Sequence, residues 1–113
     1  MDYNLLTDLP TSIYDVYANI HEESDNLIDM ILDELKIYEI ELNSDERRLY
    51  NCNPKILSQK IYGDINIWYI IMRVNGMSNF GEFNTLKNPK VKLPTIKSLE
   101  SAKTMIYKFK NNI

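Results

Sequence analysis

Apolar residues recur along this chain at helical spacing, and breaks in that spacing mark its parts. From Ser24 to Leu42, the residues Ile28, Ile31, Leu35, Tyr38 and Leu42 lie three or four positions apart, which is the spacing of an amphipathic helix with a seam two heptads long. Leu27, Ile37 and Ile40 widen that stripe. Ser24 suits the N-cap, Asp25 and Asp29 suit the positive end of the helix dipole, and Asn43 suits a left-handed C-terminal position. The spacing therefore predicts one helix over 24–42, with Asp29, Asp33, Glu34, Glu39 and Glu41 on its outer face. Its seam can pack on the rest of the chain or join a bundle with other chains.

The segment 43–53 is polar, with a short strand expected at Arg48-Leu49-Tyr50. Asn53-Pro54 is a strong helix start, a capping side chain followed by proline at the first helical position. That helix is expected to run to about Ile61 and to end at Gly63, where positive φ costs little. Asp64 then caps a second helix, Ile65 to Val74, so the two make an αα-hairpin. Asn75-Gly76 stops it, a loop through Ser78, Asn79, Phe80, Gly81 and Glu82 follows, and Val91-Lys92-Leu93 reads as a strand closed by Pro94. From Thr95 onward Leu99, Ala102, Met105, Ile106 and Phe109 share one side of a last helix. At the start of the chain, Ile13, Val16, Tyr17 and Ile20 fit a helix, while Tyr14, Val16 and Ala18 fit a strand. Tyr3, Leu5, Leu6 and Leu9 suggest an arm that docks on its own domain or on a partner.

With 44% hydrophobic and 26% charged residues in 113, the chain has material for one core. Its longest mainly apolar run, Ile65 to Val74, is half of the roughly 20 residues a membrane span needs, and residues 1–20 lack the basic start of a signal peptide. A soluble, non-secreted protein is expected. The net charge of −3 conceals an asymmetry: residues 1–50 hold 13 acidic and 3 basic side chains, residues 51–113 hold 3 acidic and 10 basic. Such a split serves internal complementarity, two solvated faces or head-to-tail contacts with charged neighbours. Abundant Ile, Asn, Lys and Tyr also match AT-rich codons, which weakens any reading of the lysines as a nucleic-acid signal.

Little here points to catalysis. One cysteine and one histidine, Cys52 and His21, leave no material for a disulfide, a cysteine zinc cage or a triad. Cys52 has no basic neighbour in sequence and reads as a buried structural thiol. Asp64 reads as a helix cap, and a glycosidase would need a second carboxyl held about 5–9 Å away, whereas Glu82 is in a loop and Asp45 is in the polar connector. Gly63 and Gly76 fit no phosphate-cradling motif. Trp68 is expected in the core, with its neighbour Tyr69 nearer the surface, and Tyr62, Tyr69 or Phe83 could stack on a sugar ring. Lys87, Lys90 and Lys92 form a basic cluster near Phe83, but an acidic total and one Arg after residue 50 favour an acidic protein neighbour over nucleic acid.

The succession Tyr62-Gly63-Asp64, Trp68, Ile71, Asn75 and Leu93-Pro94 resembles LysM-like domains, in the variant found in baseplate wedge proteins of contractile-tailed bacteriophages. The likeness covers about residues 50–96. It implies an α+β fold: a LysM-like βααβ core at 47–96, an N-terminal arm and amphipathic acidic helix at 1–46, and a C-terminal basic helix at 97–113. Tyr62, Gly63, Asp64, Trp68, Asn75 and Pro94 would be the fold motif. The resemblance further implies a non-enzymatic structural component without cofactor or metal, located in the virion tail baseplate and assembled in the host cytoplasm. Its partners would be other tail and baseplate proteins in six-fold copies, gripped through Ile28, Ile31, Leu35 and Tyr38 and through Lys87, Lys90 and Lys92. Nucleic acid and membrane are not expected as partners. Where the family carries a glycine before the last strand, this chain has Asn88-Pro89-Lys90, which alters the turn that lines the sugar groove of cell-wall LysM domains. Binding of a peptidoglycan- or chitin-type glycan is the alternative function.

Overall fold

Two pairing problems organise the molecule: an acidic strand must find a basic one, and two sets of helices must cover the sheet they make. The computed structural model describes residues 17–111; the expected arm, with Tyr3, Leu5, Leu6, Leu9, Ile13, Tyr14 and Val16, lies outside the described residues. Helix α1 spans Asp25–Glu34, strand β1 Ile37–Glu41, helix α2 Ser44–Tyr50 and helix α3 Pro54–Tyr62. A 3-10 turn, Ile65–Ile67, leads into helix α4, Trp68–Val74. Strand β2, Lys90–Pro94, and helix α5, Ile96–Asn111, complete an α+β domain. None of the described helices is long and apolar enough to cross a membrane.

The structure corrects the first expected helix. It begins as expected at Ser24, whose side chain accepts from the Leu27 amide, but ends at Glu34, and residues 37–41 form a strand. Continuing the helix would have put Glu39 and Glu41 on its negative end, against the dipole. As a strand, the same residues pair antiparallel with β2, Glu39 opposite Lys92 and Glu41 opposite Lys90, which is favourable for opposite charges across a sheet. Ile28 and Ile31 are fully buried, so they cannot be an interface seam; Leu35 packs half-buried against the same core, and Tyr38 stands exposed on β1. One apolar cluster joins Tyr17, Ile20, Leu27 and Ile31 with Leu57, Ile70, Leu93 and Leu99. The core therefore reaches back well before residue 47, and α1 packs on α5.

The connector also differs from expectation. Arg48-Leu49-Tyr50 belongs to α2, not to a strand, and Asn43 starts this helix instead of ending one. Asn43 and Glu46 form a reciprocal capping box, each side chain accepting from the other's backbone amide at 2.9 Å, which satisfies two otherwise orphaned donors. Cys52 is exposed, not buried, and holds a left-handed φ of 56° while its amide donates to the Phe83 carbonyl at 2.7 Å. Later boundaries follow their local signals. Asn53 caps α3 and Gly63 ends it at φ 75°. After α4, Gly76 donates to Arg73 and Met77 to Met72, the paired bonds of a Schellman ending.

Two outcomes follow. Ile31→Ala should lower unfolding stability by about 2–5 kcal/mol, read from denaturant midpoints; a change below about 0.5 kcal/mol would put α1 outside the core. Tyr17 donates its hydroxyl to the Leu99 carbonyl at 2.9 Å, and burial, with a smaller contribution from Glu100, raises its pKa well above the usual 10.0. The folded state thus favours the neutral phenol, and the stability this gives is complete below pH 10 and declines above it as the unfolded chain ionises. Stability measured from pH 8 to pH 12 should fall less steeply in Tyr17→Phe than in the wild type.

Candidate functional site

The Gly63-Asp64 turn sets the direction of α4 and so decides which side chains reach the surface. The Asp64 carboxylate accepts from the Asn66 amide at 2.7 Å, and the Ser58 hydroxyl donates to the Asp64 carbonyl at 2.6 Å. Ile67, Ile70 and Ile71 then face the core, which turns Trp68, Tyr69 and Arg73 outward by helical geometry. Trp68 is half-buried, a correction to its expected place in the core. It forms the floor of an open cleft of about 580 Å³ lined by Tyr69, Met72, Arg73, Met77 and Phe80.

Around Trp68 the aromatic contacts are dense. Phe80 meets it edge-on at 5.4 Å and 78°, Tyr69 lies 5.6 Å away, and His21 packs at 5.4 Å from the turn Ile20–Glu22. Lys55 places its ammonium 5.2 Å from the Trp68 ring centre and 5.7 Å from that of Phe80, within the range of a cation–π attraction. Arg73 donates to the Tyr69 hydroxyl at 3.1 Å and lies 3.6 Å from Asp29. On the far side of Lys55, exposed Leu49, Ile56 and Ile65 extend the surface as an apolar strip. The combined patch offers ring faces, a thioether and two cations to whatever docks there. No group of three or more potential metal-ligating His, Cys, Asp or Glu occurs among the described residues.

The remaining expected site residues fall into two sets. Tyr62 is buried and donates its hydroxyl to the Pro94 carbonyl at 2.6 Å, so it is not a stacking platform; Phe83, fully buried, is not one either. Asn75 ties α4 to β2, its amide donating to the Lys92 carbonyl at 2.8 Å and accepting from the Lys92 amide at 2.9 Å. Tyr62, Asn75 and Pro94 thus converge on the last strand, while Gly63 and Asp64 shape the turn. Lys87, Lys90 and Lys92 are all exposed, but Lys90 and Lys92 sit opposite Glu41 and Glu39 of the same sheet, so part of their acidic neighbourhood is internal. His21, Lys55, Arg73 and Phe80 were not assigned a role from sequence. The four-residue step from Tyr69 to Arg73, and an aromatic in the polar Ser-Asn-Phe-Gly loop, were the available signals.

Comparison of the chain with protein-family models, with curated proteins and with solved structures gives no match.

Because Phe80 covers Trp68 from an exposed loop, Phe80→Ala should shift tryptophan emission to longer wavelength while costing only about 1 kcal/mol of stability. An unchanged spectrum would mean that the two rings do not pack in solution.

Proposed function

We propose that this chain is a non-enzymatic structural component of a phage-type contractile-tail baseplate, a wedge protein that joins neighbouring subunits. The finer fold assignment belongs to the same reading: β1, α3, α4 and β2 are taken as a LysM-like βααβ core, with α2 inserted after the first strand and α1 and α5 as extensions. What supports it is the order Tyr62-Gly63-Asp64, Trp68, Asn75 and Leu93-Pro94, in which Tyr62 and Asn75 fasten the helix pair to β2 and Gly63-Asp64 shapes the turn between the helices.

The single observation that carries the joining role is the surface patch of half-buried Trp68 and Tyr69 and exposed Phe80, edged by Lys55 and Arg73 and continued by exposed Leu49, Ile56 and Ile65. Trp, Tyr and Arg dominate the binding energy of protein interfaces, above all where apolar surface surrounds them. In this reading the patch receives another baseplate subunit, and repetition around the tail gives six such joints.

A glycan-binding module is the second reading, and the openness of the Trp68–Phe80 cleft favours it, since a sugar ring can stack on an accessible indole. One titration separates the two: a chitin hexamer and soluble peptidoglycan fragments are added while Trp68 fluorescence and heat are followed. The baseplate reading expects no saturable response. It further expects wild-type protein to co-assemble with baseplate subunits encoded beside it, and Trp68→Ala with Lys55→Ala to weaken that joint at least about tenfold without unfolding the chain. Saturable glycan binding lost in Trp68→Ala would replace the baseplate reading with the second one.

A further inference from the structure

The two outer edges of the sheet are treated differently. On β2, the Asn75 side chain occupies both outward groups of Lys92, so that edge is closed at its centre. On β1 the outer edge is open among the described residues. The register is fixed by the Thr95 amide bonding the Lys36 carbonyl and the Leu42 amide bonding the Pro89 carbonyl. Even-numbered residues therefore bond β2, and the N–H and C=O groups of Ile37, Glu39 and Glu41 point away from it. No partner for these groups occurs among the described residues, and β1 is exposed at all its positions except the half-buried Ile40. An unprotected strand edge is a template for another strand.

Charge selects the occupant. Glu39 and Glu41 lie on one sheet face beside this edge, and neither is in an ion pair among the described residues. Pairing with β1 of a second copy sets Glu39 opposite Glu39 or Glu41, or, in the register that puts Glu39 opposite Ile37, leaves the two Glu39 side chains as diagonal neighbours on one face, so each of these registers brings like charges together. Strand β2 of a second copy is closed by Asn75. The chain's own first sixteen residues carry Asp2, Asp8 and Asp15 and no Lys or Arg, so they bring no cationic side chain to face Glu39 and Glu41. We propose that the outer edge of β1 accepts an extended basic segment of another protein as a third strand, with Lys or Arg at alternate positions facing Glu39 and Glu41. Backbone bonds would supply affinity and the alternating cations would supply selection.

The test uses the full chain at low salt and a peptide, Thr-Val-Lys-Val-Lys-Val-Thr, blocked at both ends. Amide hydrogen exchange should slow at Ile37, Glu39 and Glu41 on saturation. N-methylation of alternate peptide bonds should abolish binding, and the double variant Glu39→Gln with Glu41→Gln, at exposed sites, should weaken it about 3- to 10-fold. Replacing both peptide lysines by glutamate should weaken it at least as much. Absence of saturable binding up to about 1 mM would overturn the proposal, as would binding that survives N-methylation. Slowed exchange at β1 that accompanies self-association without peptide, measured by sedimentation, would also overturn it by making a second copy the occupant.

Discussion

The side-chain amide of Asn75 holds the helical half of this molecule to its sheet. It leaves the end of α4 with one donor bond to the Ile71 carbonyl at 2.7 Å and spends its remaining capacity on both backbone groups of Lys92. A side chain thereby imitates a third strand for one residue pair. Each such bond contributes about 1 kcal/mol net, but removing the amide would also leave the Lys92 groups to find water. The Tyr62 hydroxyl makes a second tie to the same strand at Pro94. With α3 and α4 fixed by these two links, the direction of the Trp68 face follows. The surface patch is therefore a consequence of how the helices are fastened, and a shift of α4 would move every ring in it.

Asparagine recurs at many of the places where the backbone needs a local acceptor. Asn43, Asn53 and Asn79 cap helices or 3-10 turns. Asn84 and Asn88 accept from the Lys87 and Lys90 amides at 3.0 and 3.1 Å, closing the bends of the loop that leads into β2. Arg47 adds a long-range clamp by donating to the Thr85 and Leu86 carbonyls, while Thr85 donates back to the Arg47 carbonyl. A codon bias toward Asn accounts for the abundance of the residue, whereas its side-chain geometry accounts for the positions, since Asn satisfies orphan amides without needing tertiary support. This is how a loop of more than a dozen residues keeps a defined course and presents Phe80 to Trp68.

Signals of this local kind were legible in the sequence. Ser24, Asn53-Pro54, Gly63-Asp64 and Gly76 each act within four residues, so the starts of α1 and α3 and the turns around α4 could be read directly. Strand β1 could not. Its alternation of Ile37, Glu39 and Glu41 with Tyr38, Ile40 and Leu42 is embedded in a stripe that also satisfies a heptad, and its partner lies some fifty residues away. Two clues favoured the strand: acidic residues where a helix would end, and lysines at matching alternate positions in β2. Trp68 was misplaced for a related reason. Apolar character on α4 runs nearly all round the helix, and only the packing of Ile67, Ile70 and Ile71 decides which face is covered. The patch itself joins residues 21, 55, 68 and 80, a set that no local periodicity connects.

The division between an acidic first half and a basic second half acquires a structural meaning at the strand pair. In the observed register, Glu39 meets Lys92 and Glu41 meets Lys90. A slip by one residue would send Val91 and Leu93 from the core to solvent, which their burial forbids. A slip by two residues preserves the faces, and here charge discriminates: moving β2 so that Glu39 meets Lys90 would set Glu41 against Asn88 and Ile37 against Lys92. One attractive pair would be lost and a lysine placed on an apolar neighbour. Exposed pairs contribute little to absolute stability, so their effect lies in the difference between registers. The charge asymmetry thus works first as a register device within the fold, and the acidic edge it leaves on β1 is the other side of the same arrangement.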